Sequence, residues 1–244
     1  MKIIVTENFD KTCERAAGII GDVIRNKPDA RLGLATGSTA QGVYPYLIAA
    51  NRAGKLDFSR VNTVNLDEYV GLAPDHPQSY RRFMDENLFD HINIDKKNTV
   101  VAKGIGDIEA NVKAFREALA EKPIDVQLLG IGVDGHVGFN EPGRVLYDGA
   151  HVEELDESTI DANARFFEKR SDVPTKAISM GIGDILRAKK LLLLATGENK
   201  VEAMKGLLLN EELDVQNPAT MVKTHPDLTV IIDRALADQI GYRG

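Results

Sequence analysis

A glycine-rich segment in the middle of the chain carries three ionisable side chains within eight residues. Asp134, His136 and Glu141 lie in residues 128–142, where an apolar run of strand length passes into a loop. A buried strand that ends in a loop of ionisable groups is typical of active sites in open α/β sheets. A histidine beside two carboxylates is suited to general acid–base chemistry, because the carboxylates can orient the ring and tune its pKa.

A metal site is the alternative interpretation of the same segment, because histidine and carboxylates are also zinc ligands. The loop contains no second histidine, and no His-Glu-x-x-His pattern occurs in the chain. The sequence therefore favours acid–base work at Asp134, His136 and Glu141 over metal binding.

Two adjacent carboxylates, Asp67 and Glu68, follow another apolar run, residues 61–66. Acidic pairs at a strand end are unusual, although an Asx-turn or a helix cap formed by Asp67 would also explain one of them. Side chains of neighbouring residues point in different directions, so we expect only one of the two to face a pocket.

A short hydroxyl-rich loop follows the apolar run at residues 32–35 and precedes a segment of helical spacing. It consists of Thr36, Gly37, Ser38 and Thr39. Free backbone amides at a helix start, together with hydroxyls, can bind a phosphate. The loop matches neither the P-loop nor the dinucleotide-binding pattern, and an ordinary helix cap would use the same residue types.

Two cations lie close to predicted element ends. Lys200 is predicted in the first turn of a helix, where a cation is unfavourable unless an anion lies between it and the helix. Arg165 follows a polar segment further upstream. A solvated surface charge explains either residue alone, but both together with the hydroxyl loop predict one phosphate pocket.

Short apolar runs alternate with segments of helical spacing along the chain. The strand candidates are residues 3–5, 32–35, 61–66, 126–129, 177–180, 191–195 and 228–232. The helical candidates are residues 16–24, 40–52, 78–89, 107–120, 182–188 and 198–210. This alternation predicts an α/β fold: a single doubly wound, mostly parallel sheet with helices on both faces, Rossmann-like. We expect one domain over residues 1–244, with a lid-like excursion or flap at about 142–165.

Composition restricts the class of protein. The 244 residues are 43% hydrophobic, which is enough for a sizeable core, and the net charge of −7 with no basic block argues against nucleic acid as a partner. A single cysteine, Cys13, excludes an intrachain disulfide. The N-terminus lacks the apolar core of a signal peptide, and no run is long enough to cross a membrane. We therefore expect a cytoplasmic enzyme or binding protein.

Five motifs resemble those of glucosamine-6-phosphate deaminases in order and spacing. They are residues 34–39, 65–71, 130–142, 163–167 and 177–181. The resemblance covers essentially the whole chain, and the Asp-Gly-His…Phe-Asn-Glu-Pro block is specific to this group. The wider superfamily includes 6-phosphogluconolactonases.

The resemblance implies a hydrolytic, isomerising deaminase of N-acetylglucosamine catabolism that needs neither a cofactor nor a metal. Such an enzyme converts glucosamine 6-phosphate and water to fructose 6-phosphate and ammonia. Asp67 matches the base that moves a proton between C2 and C1, and His136 matches the ring-opening catalyst, assisted by Asp134 and Glu141. The matching phosphate-binding positions are Thr36, Gly37, Ser38, Thr39, Arg165 and Lys200.

Two other functions remain open from the sequence. A sugar-phosphate lactonase needs a base that activates water, but no proton transfer between C1 and C2, so Asp67 discriminates against it. A non-catalytic sugar-phosphate sensor would keep the phosphate pocket and could lose the acid–base set, which is intact here.

Two departures from the family pattern bear on assembly. Long members of the resembled family are hexamers activated by N-acetylglucosamine 6-phosphate, and their C-terminal extension has no counterpart before Gly244. Residues 143–150 also differ from the usual continuation, which is richer in Ser and Thr. We therefore expect a monomer or small homo-oligomer that is active without an effector.

Overall fold

The computed structural model describes residues 1–243. The strands are β1 (Lys2–Thr6), β2 (Arg31–Leu34), β3 (Asn62–Asn65), β4 (Asp67–Tyr69), β5 (Thr99–Val100), β6 (Val126–Leu129), β7 (His151–Glu154), β8 (Lys176–Ser179), β9 (Leu191–Ala195) and β10 (Leu228–Asp233). The α-helices are α1 (Phe9–Asn26), α2 (Ser38–Gln41), α3 (Tyr44–Arg52), α4 (Tyr80–Asn87), α5 (Ile108–Glu121), α6 (Glu157–Asn163), α7 (Ile182–Leu186), α8 (Val201–Leu208) and α9 (Arg234–Ile240).

Seven strands form a parallel sheet in the order β1-β10-β9-β6-β2-β3-β5. Every residue of β9 and β10 is buried, so both faces of the sheet are covered. This confirms the predicted doubly wound α/β fold. The strand order changes direction between β2 and β6, and a ligand crevice is expected beyond the carboxyl ends of such a pair.

Three strands form a separate antiparallel sheet in the order β4-β8-β7. The apolar run at 177–180, predicted as a strand of the main sheet, instead forms β8, the central strand of this small sheet. Ala177 and Ile178 are fully buried, as in a parallel strand, so the pattern alone does not distinguish the two sheets. Strands β4, β5 and β7 have no predicted counterpart, because they are only two to four residues long and β4 and β7 consist mostly of polar residues.

The segment 142–165, predicted as a flap, contains β7 and α6. Strand β7 pairs with β8 over His151–Glu154, so this part of the segment belongs to the small sheet. A lid movement of the segment stays a prediction.

Two predicted helices are interrupted. Residues 40–52 split at Gly42, where an added β-carbon would lie 2.5 Å from the Phe9 ring and 2.6 Å from Cys13 Sγ. Pro45 then lies at the start of α3, where its missing N–H leaves no bond unmade. Residues 198–210 form a 3-10 turn at Glu198–Lys200 followed by α8, and α7 covers only the first part of residues 182–188.

Among the described residues, no helix has both the length and the apolar character needed to cross a membrane.

Candidate active site

The loop after β6 folds back on itself because two glycines permit it. Gly135 has a φ of 89°, a conformation that other residues rarely adopt, and the Gly132 amide donates to the His136 carbonyl at 2.8 Å. A β-carbon on Gly132 would collide with the His136 ring and the Asp134 carboxylate. The glycines therefore let the Asp134 and His136 side chains lie side by side, and Asp134 Oδ1 also accepts from the His136 amide at 3.1 Å.

His136 lies between two carboxylates. Its Nδ1 is 2.8 Å from Asp134 Oδ1 and 3.3 Å from Glu141 Oε2, and Glu141 is buried. Both Glu141 oxygens lack a well-aligned hydrogen-bond donor, so the contact with the ring is chiefly electrostatic. Burial by itself lowers the pKa of His136, but the close contact and negative charge of the two acids outweigh it and raise that pKa to about 9.

The same pairing acts on Asp134 in the opposite direction. Burial raises its pKa, but the bonds and charge of His136 outweigh burial and lower the pKa of Asp134 to about 2. At neutral pH the structure therefore favours an imidazolium held against an ionised carboxylate, which is a general acid ready to transfer a proton.

The three side chains could also hold a cation, since one ligand atom from each lies within 4.8 Å of the others. A metal bound there would have to displace the proton on His136 Nδ1. The two carboxylates make the ring hold this proton more tightly. The donor set therefore fits acid–base chemistry better than metal binding.

Asp67 lies on β4 instead of in the loop that the sequence suggested. Asp67 pairs with Ser179 of β8 in the small antiparallel sheet, and Asp67 is 6% exposed. A β-carbon added to Gly138 would lie 3.5 Å from Asp67 Oδ2 and 3.2 Å from Ser179 Oγ, so the carboxylate faces the bare backbone of the loop that carries His136. The small sheet thus fixes the acid against the β6 loop.

The environment of Asp67 makes it a stronger base. Burial raises the pKa of Asp67, the charge of Glu68 raises it further and His136 opposes the rise, which leaves a pKa of about 7. A carboxylate with that pKa is well suited to removing a proton from carbon at neutral pH. Glu68 points elsewhere and accepts backbone hydrogen bonds, which agrees with the expectation that only one of the pair faces the pocket.

The hydroxyl loop and the loop after β9 have the same backbone turn. Gly37 and Gly197 each have a φ of 94°, and they follow strands that flank β6 on either side. Ser38 is exposed, and Thr36 and Thr39 are partly exposed. The amides at the start of α2 have no acceptor within the helix, so this loop offers donors to an anion.

Lys200 is half-buried and lies at the N-cap of α8, close to the predicted first turn. Burial lowers the pKa of Lys200, the charge of Asp134 opposes this, and the charge of Arg165 lowers the pKa further. Arg165 is exposed on the turn Ala164–Phe166, and its guanidinium stacks 4.7 Å from the centre of the Phe166 ring. Lys200 therefore lies within electrostatic reach of both Asp134 and Arg165.

An aromatic cluster beside Asp67 was not predicted from the sequence. Tyr69 lies 4.8 Å from Tyr80 and 6.1 Å from Phe167, between ring centres, and Tyr80 stacks on Phe139 at 6.1 Å. The four rings come from four distant segments, so no local spacing could have indicated that they meet. They pack β4, α4, the β6 loop and the Arg165 turn together.

The sequence is similar to those of a known protein family. The family model described as glucosamine-6-phosphate isomerases/6-phosphogluconolactonase matches residues 6–231. The chain is 48% identical over 242 residues to the glucosamine-6-phosphate deaminase of Thermoanaerobacter pseudethanolicus (strain ATCC 33223 / 39E), covering 98% of this chain and 95% of that protein.

Two solved structures show how far the fold is shared. A monomeric glucosamine-6-phosphate deaminase superposes with a TM-score of 0.95 and 41% identity, covering 98% of this chain and 100% of the other. A 6-phosphogluconolactonase from Thermotoga maritima gives a TM-score of 0.75 at 20% identity, covering 96% and 99% respectively, a likeness of fold alone.

Proposed function

Because the chain belongs to the family of glucosamine-6-phosphate isomerases and 6-phosphogluconolactonases, we propose that it acts as a glucosamine-6-phosphate deaminase. The observation that carries the proposal is the proximity of two separate acid–base centres, since Asp67 faces Gly138 of the loop that carries His136 and the charge of His136 acts on Asp67. Asp67 forms one centre, and His136 with its two carboxylates forms the other. A lactonase has no use for a second centre, since ring hydrolysis needs only one base for water.

The first step is opening of the sugar ring. The anomeric hydroxyl loses its proton and the ring oxygen gains one, so that C1 becomes an aldehyde. His136 performs this exchange, because Asp134 and Glu141 keep a transferable proton on its ring near neutral pH.

The second step moves a proton along the carbon chain. Asp67 removes the proton from C2 while O1 of the open-chain aldehyde gains a proton from the His136 imidazolium, leaving an enolamine. The carboxylic acid of Asp67 then returns its proton to C1, which leaves a protonated imine at C2. Water hydrolyses this iminium to fructose 6-phosphate with loss of ammonia, and the remaining proton returns to His136. The pKa of about 7 matches this double task, because Asp67 must first accept the proton and then donate it.

The phosphate fixes the substrate at a distance from the reacting carbons. The loop Thr36, Gly37, Ser38 and Thr39 supplies neutral donors, and Arg165 and Lys200 supply the charge. Such binding makes the proton transfers effectively intramolecular. The partner is therefore a small sugar phosphate, and we propose that the protein acts as a monomer without an effector, as the structurally similar monomeric deaminase suggests.

The deciding experiment measures ammonia release from glucosamine 6-phosphate, with and without N-acetylglucosamine 6-phosphate, and hydrolysis of 6-phosphogluconolactone in parallel. The proposal expects ammonia release at the same rate under both conditions and no lactone hydrolysis. Lactone hydrolysis without ammonia release would replace the deaminase with the lactonase.

The phosphate pocket has its own test. Replacing Arg165 and Lys200 by alanine together is expected to raise KM at least roughly tenfold, since one charged hydrogen bond is worth about 1.5–3 kcal/mol. Lys205→Ala is the matched control, because Lys205 lies on α8 but pairs with Glu202 at the surface. An unchanged KM in the double variant would reject this pocket.

A further inference from the structure

Glu68 is a buried acid beside the active site that no catalytic step uses. It is 2% exposed, and it follows Asp67 on β4, so its side chain leaves the opposite face of the strand. Its carboxylate accepts three backbone hydrogen bonds of 2.9 Å, from Tyr69 on its own strand and from Tyr80 and Arg81. The side chain is thus fully engaged with backbone, not with the pocket.

Those donors show which two elements Glu68 joins. Tyr80 and Arg81 are the first two residues of α4, whose amides have no acceptor within the helix. Ser79 already caps this helix by accepting from the Arg82 amide at 3.1 Å. Glu68 is therefore a second cap that reaches α4 from another element.

A connection between these elements has consequences for the site. Strand β4 carries the proposed base Asp67, and α4 carries Tyr80, which stacks on Phe139 of the loop that holds His136. The rings of Tyr80 and Phe139 are 8° from parallel. A rigid link from Glu68 to α4 thus fixes Asp67 relative to the ring-opening centre.

We propose that Glu68 is a positioning residue for Asp67, which clamps β4 to the first turn of α4 and holds a negative charge behind the base. The expected effects on kcat and on the pH profile rest on the proposed deaminase function. The clamp itself rests on the three backbone bonds alone.

The charge of Glu68 is the second part of this role. Burial raises the pKa of Glu68, and its three N–H bonds oppose the rise, whereas no hydrogen bond stabilises the ionised Asp67. The three N–H donors favour the ionised form of Glu68, and its charge makes Asp67 more basic. The other groups that face Asp67 are His136 from the β6 loop and the phenols of Tyr69 and Tyr80.

Glu68→Gln tests the proposal, because it removes the charge and keeps the shape of the side chain. Its carbonyl oxygen can still accept from Tyr69 and Tyr80, whereas the bond from Arg81 is lost. The acidic limb of the pH profile of kcat/KM is expected to move to lower pH by roughly half a pH unit or more. The plateau of kcat is expected to fall several-fold because Asp67 becomes a weaker base, while KM stays within about twofold of wild type. Glu68→Asp keeps the charge but is too short for all three bonds, so it lowers kcat without moving the limb.

Ser79→Ala is the matched control, since it removes the other cap of the same helix and leaves the charge next to Asp67 in place. It is expected to lower stability with no movement of the acidic limb. An unmoved limb in Glu68→Gln, or an equal movement in Ser79→Ala, would overturn the proposal.

The inference is separable from the proposed reaction. Titration of the Asp67 carboxyl by ¹³C NMR, with its signal assigned by Asp67→Asn, follows the same pKa without substrate. A protein that releases no ammonia would refute the deaminase, whereas a pKa of Asp67 that Glu68→Gln does not lower would refute the role of Glu68.

Discussion

Replacing Asp67 by asparagine is expected to abolish turnover and, at the same time, to stabilise the protein above neutral pH. The carboxylate is buried, and no hydrogen bond supports its charge. Burial raises its pKa from 3.8 to about 7. At 1.36 kcal/mol for each pH unit, ionised Asp67 costs the folded state about 4 kcal/mol at most.

The pH dependence follows from the direction of that pKa. Below about pH 3.8 Asp67 is protonated in both the folded and the unfolded chain, so its charge costs nothing. The cost grows as the pH rises from 3.8 to about 7, and it is constant above that. The asparagine amide brings its own unmet hydrogen bonds, worth about 1–3 kcal/mol, so we expect a net gain of about 1–3 kcal/mol at pH 8.

Urea unfolding of wild type and Asp67→Asn at pH 4 and pH 8 measures this difference, and the measurement at pH 4 serves as the internal control. The gain is expected at pH 8 and absent at pH 4. If the variant is less stable than wild type at pH 8, or equally stabilised at both pH values, the ionised carboxylate does not destabilise the folded protein. Ammonia release by the variant at more than a trace of the wild-type rate would show that Asp67 does not transfer the proton between C2 and C1.

Two further substitutions test the β6 loop. Asp134→Asn is expected to lower the pKa of His136 from about 9 towards its ordinary 6.5, measured by NMR titration of the ring. Because the folded-state pKa of His136 is raised, the stability that its pairing contributes is complete below about pH 6.5 and is lost as the pH rises through about 9; the variant should lack this loss in urea unfolding. Gly135→Ala is expected to lower the free energy of unfolding by about 1–3 kcal/mol more than Gly71→Ala, and an equal loss would contradict the reasoning. Both glycines have positive φ, but only at Gly135 would the new β-carbon meet a side chain, that of Asn217.

Much of the fold was readable from local pattern. The apolar runs that became β2, β6, β9 and β10 are buried on both sides, which is the condition that produces an uninterrupted apolar strand. The small sheet could not be predicted from the local sequence pattern. Strand β4 is Asp-Glu-Tyr, and its burial depends on β8, more than a hundred residues later in the chain.

The candidate site, too, was predicted from the sequence only in part. The sequence by itself determined which residue types are available and that Asp134, His136 and Glu141 come together, because a glycine-rich turn of eight residues confines them. It also indicated that Asp67 or Glu68, but not both, would face the pocket.

The family resemblance already indicated Asp67 over Glu68, but only the tertiary structure decided what the environment of Asp67 does to its pKa. Asp67 becomes basic because the small sheet buries it against Gly138 and leaves Glu68 behind it, bonded to the amides of α4. These are contacts between segments far apart in the chain. Local spacing carries no information about them, since desolvation and charge act through space and not along the sequence.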